Sequence, residues 1–177
     1  MRHRILIATV LLAVLLAGAL PALAAVDTAA AVSYLQSQQN ADGGFGSGFA
    51  PDSTISSTAD VVLALVAVGT DAASFVQGGS TPLTYLAAQA GAAITAGDLS
   101  KLILAAIAAG QNPRQFGGVD AIARLEGLAG ADGRIGGEAD TFVSHTLAVM
   151  ALSSARRPLP ASSLEYLLPC MDSFAIE

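Results

Sequence analysis

The feature that most constrains this fold is an alternation of apolar, alanine-rich segments with short clusters of glycine. Apolar residues recur at helical spacings from Asp27 to Gln39, and four glycines follow between Asn40 and Pro51. Glycine is costly inside a helix and favours a loop or tight turn. The alternation continues along the chain, and no segment has the period-2 pattern of a strand. The sequence therefore predicts an all-α fold.

Start and stop signals set the boundaries of the remaining helices. Thr81 and Pro82 are typical of an N-cap followed by the first helical residue, and Gly69 is typical of a helix stop. Asp98 is predicted to cap a helix that begins at Leu99. The segment 56–68 is apolar nearly all round, so we expect an inner, buried helix. The predicted helices are 27–39, 56–68, 82–93, 99–109, 119–128, 141–154 and 160–168.

Residues 1–24 are predicted to be a cleaved secretory signal. Arg2 and Arg4 provide a positive start, an apolar run without charge spans 5–20, and Ala22 and Ala24 form a small-x-small cleavage site. The apolar run is shorter than the roughly 20 residues that span a bilayer. We expect a secreted protein that is not held in a membrane after cleavage.

Charge and cysteine content exclude two classes of function. The chain has 8 basic and 14 acidic residues and a formal net charge of −6, so it lacks the basic surface that nucleic-acid binding requires. Its one cysteine, Cys170, cannot build a disulfide framework or a four-cysteine zinc module.

An internal repeat is suggested by two glycine loops with the same spacing to a leucine. Leu35 precedes Asp42 by seven residues, Leu125 precedes Asp132 by seven, and the two copies lie 90 residues apart. This indicates helix-pair repeats over residues 25–168, in a solenoid or closed toroid, with a degenerate or truncated repeat in 169–177. The residues interpreted as structural parts of the repeat are Gln39, Asp42, Gly43, Gly44, Phe45, Gly46, Asp98, Phe116, Gly117, Gly118, Asp132, Gly133, Gly136 and Asp140.

The segment 39–46 resembles the repeat signature of the prenyltransferase and squalene-cyclase α/α-toroid superfamily. Segments 97–118 and 140–142 are similar to its secreted bacterial branch. The resemblance covers about residues 26–168 and implies antiparallel helix pairs that form about half of a toroid. In such repeats glycine permits tight loops, the aromatic residue fills the layer between helices, and Gln or Asp satisfies free helix-end amides.

Two residues, Asp140 and His145, are candidates for chemistry. Cyclases of this superfamily use an Asp-x-Asp-Asp cluster, which the sequence lacks; the nearest acidic group comprises Asp132, Glu138 and Asp140. The segment 144–147 resembles the one that carries the zinc-binding histidine of protein prenyltransferases, but no Asp-x-Cys partner accompanies it. A catalytic zinc site needs three protein ligands, so we predict no metal, no cofactor and no catalytic residue.

The expected function is therefore binding, of a small apolar or corrinoid-like ligand or of a protein partner, on the open inner face of the half toroid. Such a face exposes more apolar surface than monomers usually tolerate. We expect a homo-oligomer or a missing C-terminal half to cover it. Two alternatives stay open: a truncated half of a terpene-cyclase or prenyltransferase-type enzyme, and a structural repeat module of a larger surface protein.

Overall fold

The computed structural model describes residues 27–168. The chain divides into two compact units, residues 1–31 and 32–177. In the described part of the first unit, the Asp27 carboxylate accepts the Ala30 N–H at 2.9 Å. The predicted signal at 1–24 and the predicted repeat tail with Cys170 lie outside the described residues. Among the described helices, none combines the length and the apolar character needed to cross a membrane.

Seven α-helices and three short 3-10 turns make up the regular structure of residues 27–168, without a strand. This confirms the all-α prediction. The helices are α1 (Thr28–Ser37), α2 (Ile55–Ala67), α3 (Pro82–Gln89), α4 (Ala96–Ala108), α5 (Ala121–Glu126), α6 (Phe142–Ser154) and α7 (Ala161–Glu165). The 3-10 turns are Ala72–Ser74, Ala90–Ala92 and Phe116–Gly118.

The three longest helices, α2, α4 and α6, have 13 residues each and all begin at a threonine N-cap. The side chains of Thr54, Thr95 and Thr141 accept the backbone N–H of the third helical residue. Such a cap satisfies an amide that would otherwise have no partner, and replacing it with Ala costs about 0.5–2 kcal/mol. The same local device therefore starts each of the three helices.

The prediction that Asp98 caps a helix beginning at Leu99 is wrong. The helix begins three residues earlier, at Ala96, because Thr95 provides the cap oxygen. Asp98 occupies the third helical position, where its N–H donates to Thr95 Oγ1 and its carboxylate accepts the Thr95 hydroxyl at 3.1 Å. A negative charge in the first turn also interacts favourably with the helix dipole.

Helix α4 lies between α2 and α6 and packs against both. The N-termini of the three helices lie at the same end of this layer. On one side, Lys101 of α4 reaches Ser56 in the first turn of α2. On the other, Asp140, next to the start of α6, accepts the N–H of Ala96. The three long helices therefore run parallel to one another.

Burial follows helical position in the three long helices, counting the first residue of each as position 1. Positions 4 and 11 are buried in every helix, and they face the shorter helices and the loops on one side of the layer, which we call the shell. Positions 5 and 8 are buried in α2 and α4 but not in α6, so they face the next helix of the layer. Positions 7 and 10 are buried in α4 and α6 but not in α2, so they face the preceding one. The helix predicted to be inner and buried therefore buries only part of its surface, because α2 forms the edge of the layer and leaves Ala64 and Ala67 exposed.

The two glycine loops 40–45 and 130–135 make corresponding hydrogen bonds. Asn40 N–H donates to the Gly44 carbonyl at 2.9 Å, and Gly130 N–H donates to the Arg134 carbonyl at 2.7 Å. In each loop the aspartate accepts the N–H two residues later, Gly44 for Asp42 and Arg134 for Asp132. The loops are thus two copies of one local structure.

Each loop then donates one N–H to the helix that follows it. Phe45 N–H donates to Thr58 Oγ1, and Ile135 N–H donates to His145 Nδ1, both at 2.9 Å. Thr58 and His145 occupy position 4 of α2 and α6. The buried polar side chain at this position therefore anchors the preceding loop to its helix.

A left-handed glycine in each loop allows the backbone to approach another segment closely. Gly43 and Gly133 both have a φ of 87°. A Cβ on Gly43 would lie 2.6 Å from the Thr81 carbonyl oxygen, and one on Gly133 would collide with the Ser162 carbonyl. No side chain fits at either position without displacing backbone.

We therefore expect Gly43→Ala and Gly133→Ala each to lower the free energy of unfolding by at least about 1–3 kcal/mol, the usual cost of a strained left-handed residue. Gly48→Ala is the matched control, because a Cβ there meets no atom within 4 Å, and its effect should stay within about 0.5 kcal/mol. Urea denaturation of the three variants measures this. Equal stability of Gly43→Ala and Gly48→Ala would contradict the tight contact at Thr81.

Candidate functional site

The accessible side of the three-helix layer is the candidate functional site. Positions 2, 6, 9 and 13 lie on one side of a helix, opposite the buried positions 4 and 11. None of these residues is buried in any of the three helices. We call this surface the inner face, and it consists of Ser56, Asp60, Leu63, Ala67, Gly97, Lys101, Leu104, Ala108, Val143, Leu147, Met150 and Ser154.

The inner face is mainly apolar, and most strongly so on α6. Val143 is 63% exposed and Met150 52% exposed, and Leu147 between them is half-buried. Leu63 of α2 and Leu104 of α4 are half-buried at the equivalent position 9. A contiguous apolar surface on parallel helices can take up an apolar molecule or pack against another protein segment.

The charged groups of the inner face form one ion pair across the helix layer. Lys101 Nζ lies 2.6 Å from Asp60 Oδ2 and 2.7 Å from Ser56 Oγ. Lys101 and Asp60 both occupy position 6, so the pair joins α2 to α4 at equal height. Because Asp60 is exposed and Lys101 only half-buried, the pair contributes about 0–1 kcal/mol. The sequence analysis did not identify this pair. The signal available in the sequence was that Asp60 and Lys101 have opposite charges and lie equally far along the chain from the threonine caps of their helices.

Asp140 lies beside α4, where it binds backbone amides. Its carboxylate accepts the N–H of Ala96 at 3.1 Å, of Gly97 at 3.3 Å and of Gly137 at 3.0 Å. Arg134 in turn donates to the carbonyl oxygens of Gly137 and Asp140. Asp140 thus satisfies the free amides at the start of α4 and connects the loop after α5 to that helix.

The ionised form of Asp140 is stabilised by these contacts. Burial alone would raise the pKa of the Asp140 carboxyl, but hydrogen bonds from the backbone N–H groups of Ala96, Gly137 and Gly97 and from the Ser144 side chain outweigh it and lower the pKa. A carboxylate held by several amide donors has this behaviour generally. Such a group is a poor general acid, since it releases its proton below the usual range.

The other two acidic candidates have different surroundings. Asp132 accepts the Arg134 N–H at 3.1 Å and so closes its own loop, and Glu138 is exposed. Asp140 is directed towards α4 instead. The three acidic side chains therefore have separate surroundings: Asp132 closes a loop turn, Glu138 faces solvent and Asp140 binds the N-terminus of α4.

His145 is fully buried, and both of its ring nitrogens have partners. Nδ1 accepts the Ile135 N–H at 2.9 Å, so the proton lies on Nε2, which donates to the Ser163 carbonyl at 2.9 Å. Tyr166 packs edge-on against the ring with centroids 4.9 Å apart. His145 thereby joins the second glycine loop to α7, and neither nitrogen is free to bind zinc. Residues 27–168 contain no group of three His, Cys, Asp or Glu side chains that could hold a metal ion.

Gln39 differs from its expected role. It was predicted to satisfy helix-end amides, but its Nε2 donates to the carbonyl oxygens of Gly43 at 3.0 Å and Phe75 at 3.3 Å. Its Oε1 is buried and has no hydrogen-bond partner among the described residues. Gln39 thus ties the first glycine loop to the segment before α3.

The remaining residues that the sequence analysis assigned to a repeat lie in loops that pack closely. Phe45 and Phe116 are buried, and Gly117 and Gly118 take left-handed conformations within a 3-10 turn. A Cβ on Gly44 would lie 2.6 Å from Ser53 Cβ, one on Gly136 would lie 2.8 Å from Asp140 Cβ, and one on Gly46 would collide with the Pro51 carbonyl. All of them support packing, and they lie outside the inner face.

Comparison of the chain with protein-family models, with curated proteins and with solved structures gives no match.

Asp140 should make stability depend on pH. Its pKa is lower in the folded state, so its stabilisation is complete above the unfolded pKa of about 3.9 and is lost as the pH falls through the folded pKa. We expect Asp140→Asn to reduce the free energy of unfolding at about pH 7 by about 1–3 kcal/mol, since amide donors then face a neutral group. The difference from the original protein should shrink at about pH 3.

Urea denaturation at several pH values measures this, with Glu138→Gln as the control. Glu138 is an exposed carboxylate in the same loop, so its substitution should change stability by less than about 0.5 kcal/mol. A deficit of Asp140→Asn that grew on acidification would contradict the assignment.

His145→Leu should lower the free energy of unfolding by about 2–4 kcal/mol, because it leaves the Ile135 N–H and the Ser163 carbonyl buried without partners. The control is Thr146→Val, which removes a hydroxyl bonded within its own helix and should cost about 0.5 kcal/mol. Thermal unfolding with and without zinc sulfate completes the test. A rise in Tm with zinc that His145→Leu abolished would show a metal ligand instead of a structural histidine.

Proposed function

We propose that this chain is a secreted, non-catalytic protein of the α/α-toroid repeat type, which binds a small ligand or a protein partner on its inner face. Residues 25–168 then correspond to about half of a toroid. The observation that carries this proposal is the inner face itself, an accessible and mainly apolar surface on three parallel helices.

The arrangement of the helices supports the toroid. Each long helix follows a shorter one in the chain, α1 before α2, α3 before α4 and α5 before α6. The long helices form one parallel layer, whose positions 4 and 11 face the shell and whose positions 2, 6, 9 and 13 face away from it. Helix-pair repeats in which an inner layer is surrounded by an outer one have this alternation. The corresponding hydrogen bonds of the loops 90 residues apart favour the same interpretation.

The chemistry of the inner face supports binding of an apolar ligand with polar groups. Val143, Leu147 and Met150 offer apolar contact along two turns of α6, and the Lys101–Asp60 pair offers both signs of charge beside it. Small-molecule sites are commonly apolar surfaces with a few polar groups that fix orientation. A corrinoid, with an apolar ring and amide substituents, or another amphipathic molecule matches this combination.

The roles of Asp140 and His145 support a binding function over catalysis. The Asp140 carboxylate binds amides of α4, and the ring nitrogens of His145 bind two backbone groups. A general acid or metal ligand needs an atom that can reach the substrate or the ion. The rival interpretation, a truncated enzyme of the cyclase or prenyltransferase type, predicts product from farnesyl diphosphate with magnesium or zinc. We expect none.

The inner face can be tested with two probes, Nile red as an apolar dye and cyanocobalamin as a corrinoid. Met150→Asp places a charge among the apolar inner-face residues of α6 and should weaken binding of the responding probe by about tenfold or more, since burying an unpaired charge is unfavourable. Fluorescence titration and isothermal calorimetry measure the two probes.

Phe49→Asp is the matched control, because Phe49 is a fully exposed apolar residue outside the inner face. It should leave probe binding unchanged. Equal loss in both variants would indicate non-specific adsorption of the dye, and binding that Met150→Asp did not affect would contradict the location of the site.

A further inference from the structure

A second surface suited to a ligand lies between α3 and the loop that follows α4. It is an open groove of about 660 Å³, compared with about 320 Å³ for the cavity between Ile94 and Leu128. Small-molecule sites commonly fall between about 300 and 1,000 Å³. None of the residues of the inner face lines this groove.

The lining of the groove is polar but uncharged. Three exposed carboxamides, of Gln111, Asn112 and Gln115, lie along one wall, and the hydroxyl-bearing Thr81 and Thr84 belong to the opposite one. The groove is lined by no Lys, Arg, Asp, Glu or His among the described residues. A charged ligand would have no counter-charge there, so the groove favours a neutral one.

The groove also has apolar contact surface. Leu83 and Ala87 of α3 contribute to it, together with the buried Phe116. A pyranose ring has apolar C–H faces and a rim of hydroxyl groups, each of which both donates and accepts. Carboxamides likewise donate and accept, so they match paired hydroxyls, while the apolar residues match the C–H face.

The loop that forms one wall of the groove packs closely against α3. A Cβ on Gly117 would collide with the Ala87 carbonyl, so the loop backbone lies directly against α3. Asn112 Oδ1 accepts the Arg114 N–H at 3.0 Å, and Arg114 pairs with Asp120 at 2.8 Å. A site that is already ordered loses less entropy on binding.

We propose that this groove is a binding site for a neutral oligosaccharide. Peptides that bind without adding a strand commonly dock in apolar or aromatic-lined grooves, whereas the aromatic residue of this lining, Phe116, is buried and the exposed lining is rich in carboxamides. The site is independent of the proposed function of the inner face, and each can be present without the other.

The probes are maltohexaose, cellohexaose and chitohexaose, measured by calorimetry and by NMR chemical-shift changes. We expect at least one of them to bind. Gln115→Ala should weaken that binding roughly five- to tenfold through lost hydrogen bonds. Ala73→Trp should abolish it, because Ala73 is exposed in the lining and a larger side chain fills the groove.

Two variants serve as controls. Gln36→Ala removes an exposed glutamine of α1 and should leave the affinity unchanged, and Met150→Asp should do the same because it alters only the inner face. Thermal unfolding confirms that each variant is folded. Absence of binding by all three sugars at up to about 10 mM, or full affinity in Ala73→Trp, would overturn the proposal.

Discussion

Close approach of backbone to backbone is the constraint on which the rest of this structure depends. Alanines fill much of the core, among them Ala59, Ala105 and Ala148 at the contacts between the long helices. Small residues let helix axes lie near each other, but each of them buries little apolar area. The layer therefore cannot rely on large side chains alone. It depends as well on glycines such as Gly43 and Gly133, which bring loop backbone against the shell.

That constraint explains why the buried polar groups are structural. When backbones lie close together, loop amides and carbonyls are removed from water and need partners. Thr58 and His145 supply them at the same helical position, one with a hydroxyl and the other with a ring. Asp140 does so for the first turn of α4. Asp140 and His145, the candidates for chemistry, therefore form hydrogen bonds with backbone groups. The inner face takes no part in this packing.

The local structure could be predicted from sequence because its causes are local. Glycine clusters, a Thr-Pro helix start and helical periodicity identified the helices, and the paired loops were visible from Asp42 and Asp132. The start of α4 was misplaced because both Thr95 and Asp98 are good caps, and only the hydrogen bond to Thr95 distinguishes them. The Lys101–Asp60 pair and the partners of His145 depend on the relative placement of segments distant in sequence, which no single pattern contains.

The two candidate surfaces differ in chemistry because regular helices form one of them, whereas a loop packed against α3 forms the other. The inner face is formed by side chains that regular helices repeat at fixed positions, so its character follows from residues such as Leu104 and Met150 and extends along the layer. The groove is formed where the loop 111–117 meets α3. Its carboxamides belong to this loop and lie outside the regular helices. Loops in general tolerate sequence change better than the helices that they connect. An apolar surface of the layer and a polar, neutral groove in a loop can therefore be altered separately, and a change that abolishes one leaves the packing of the other intact.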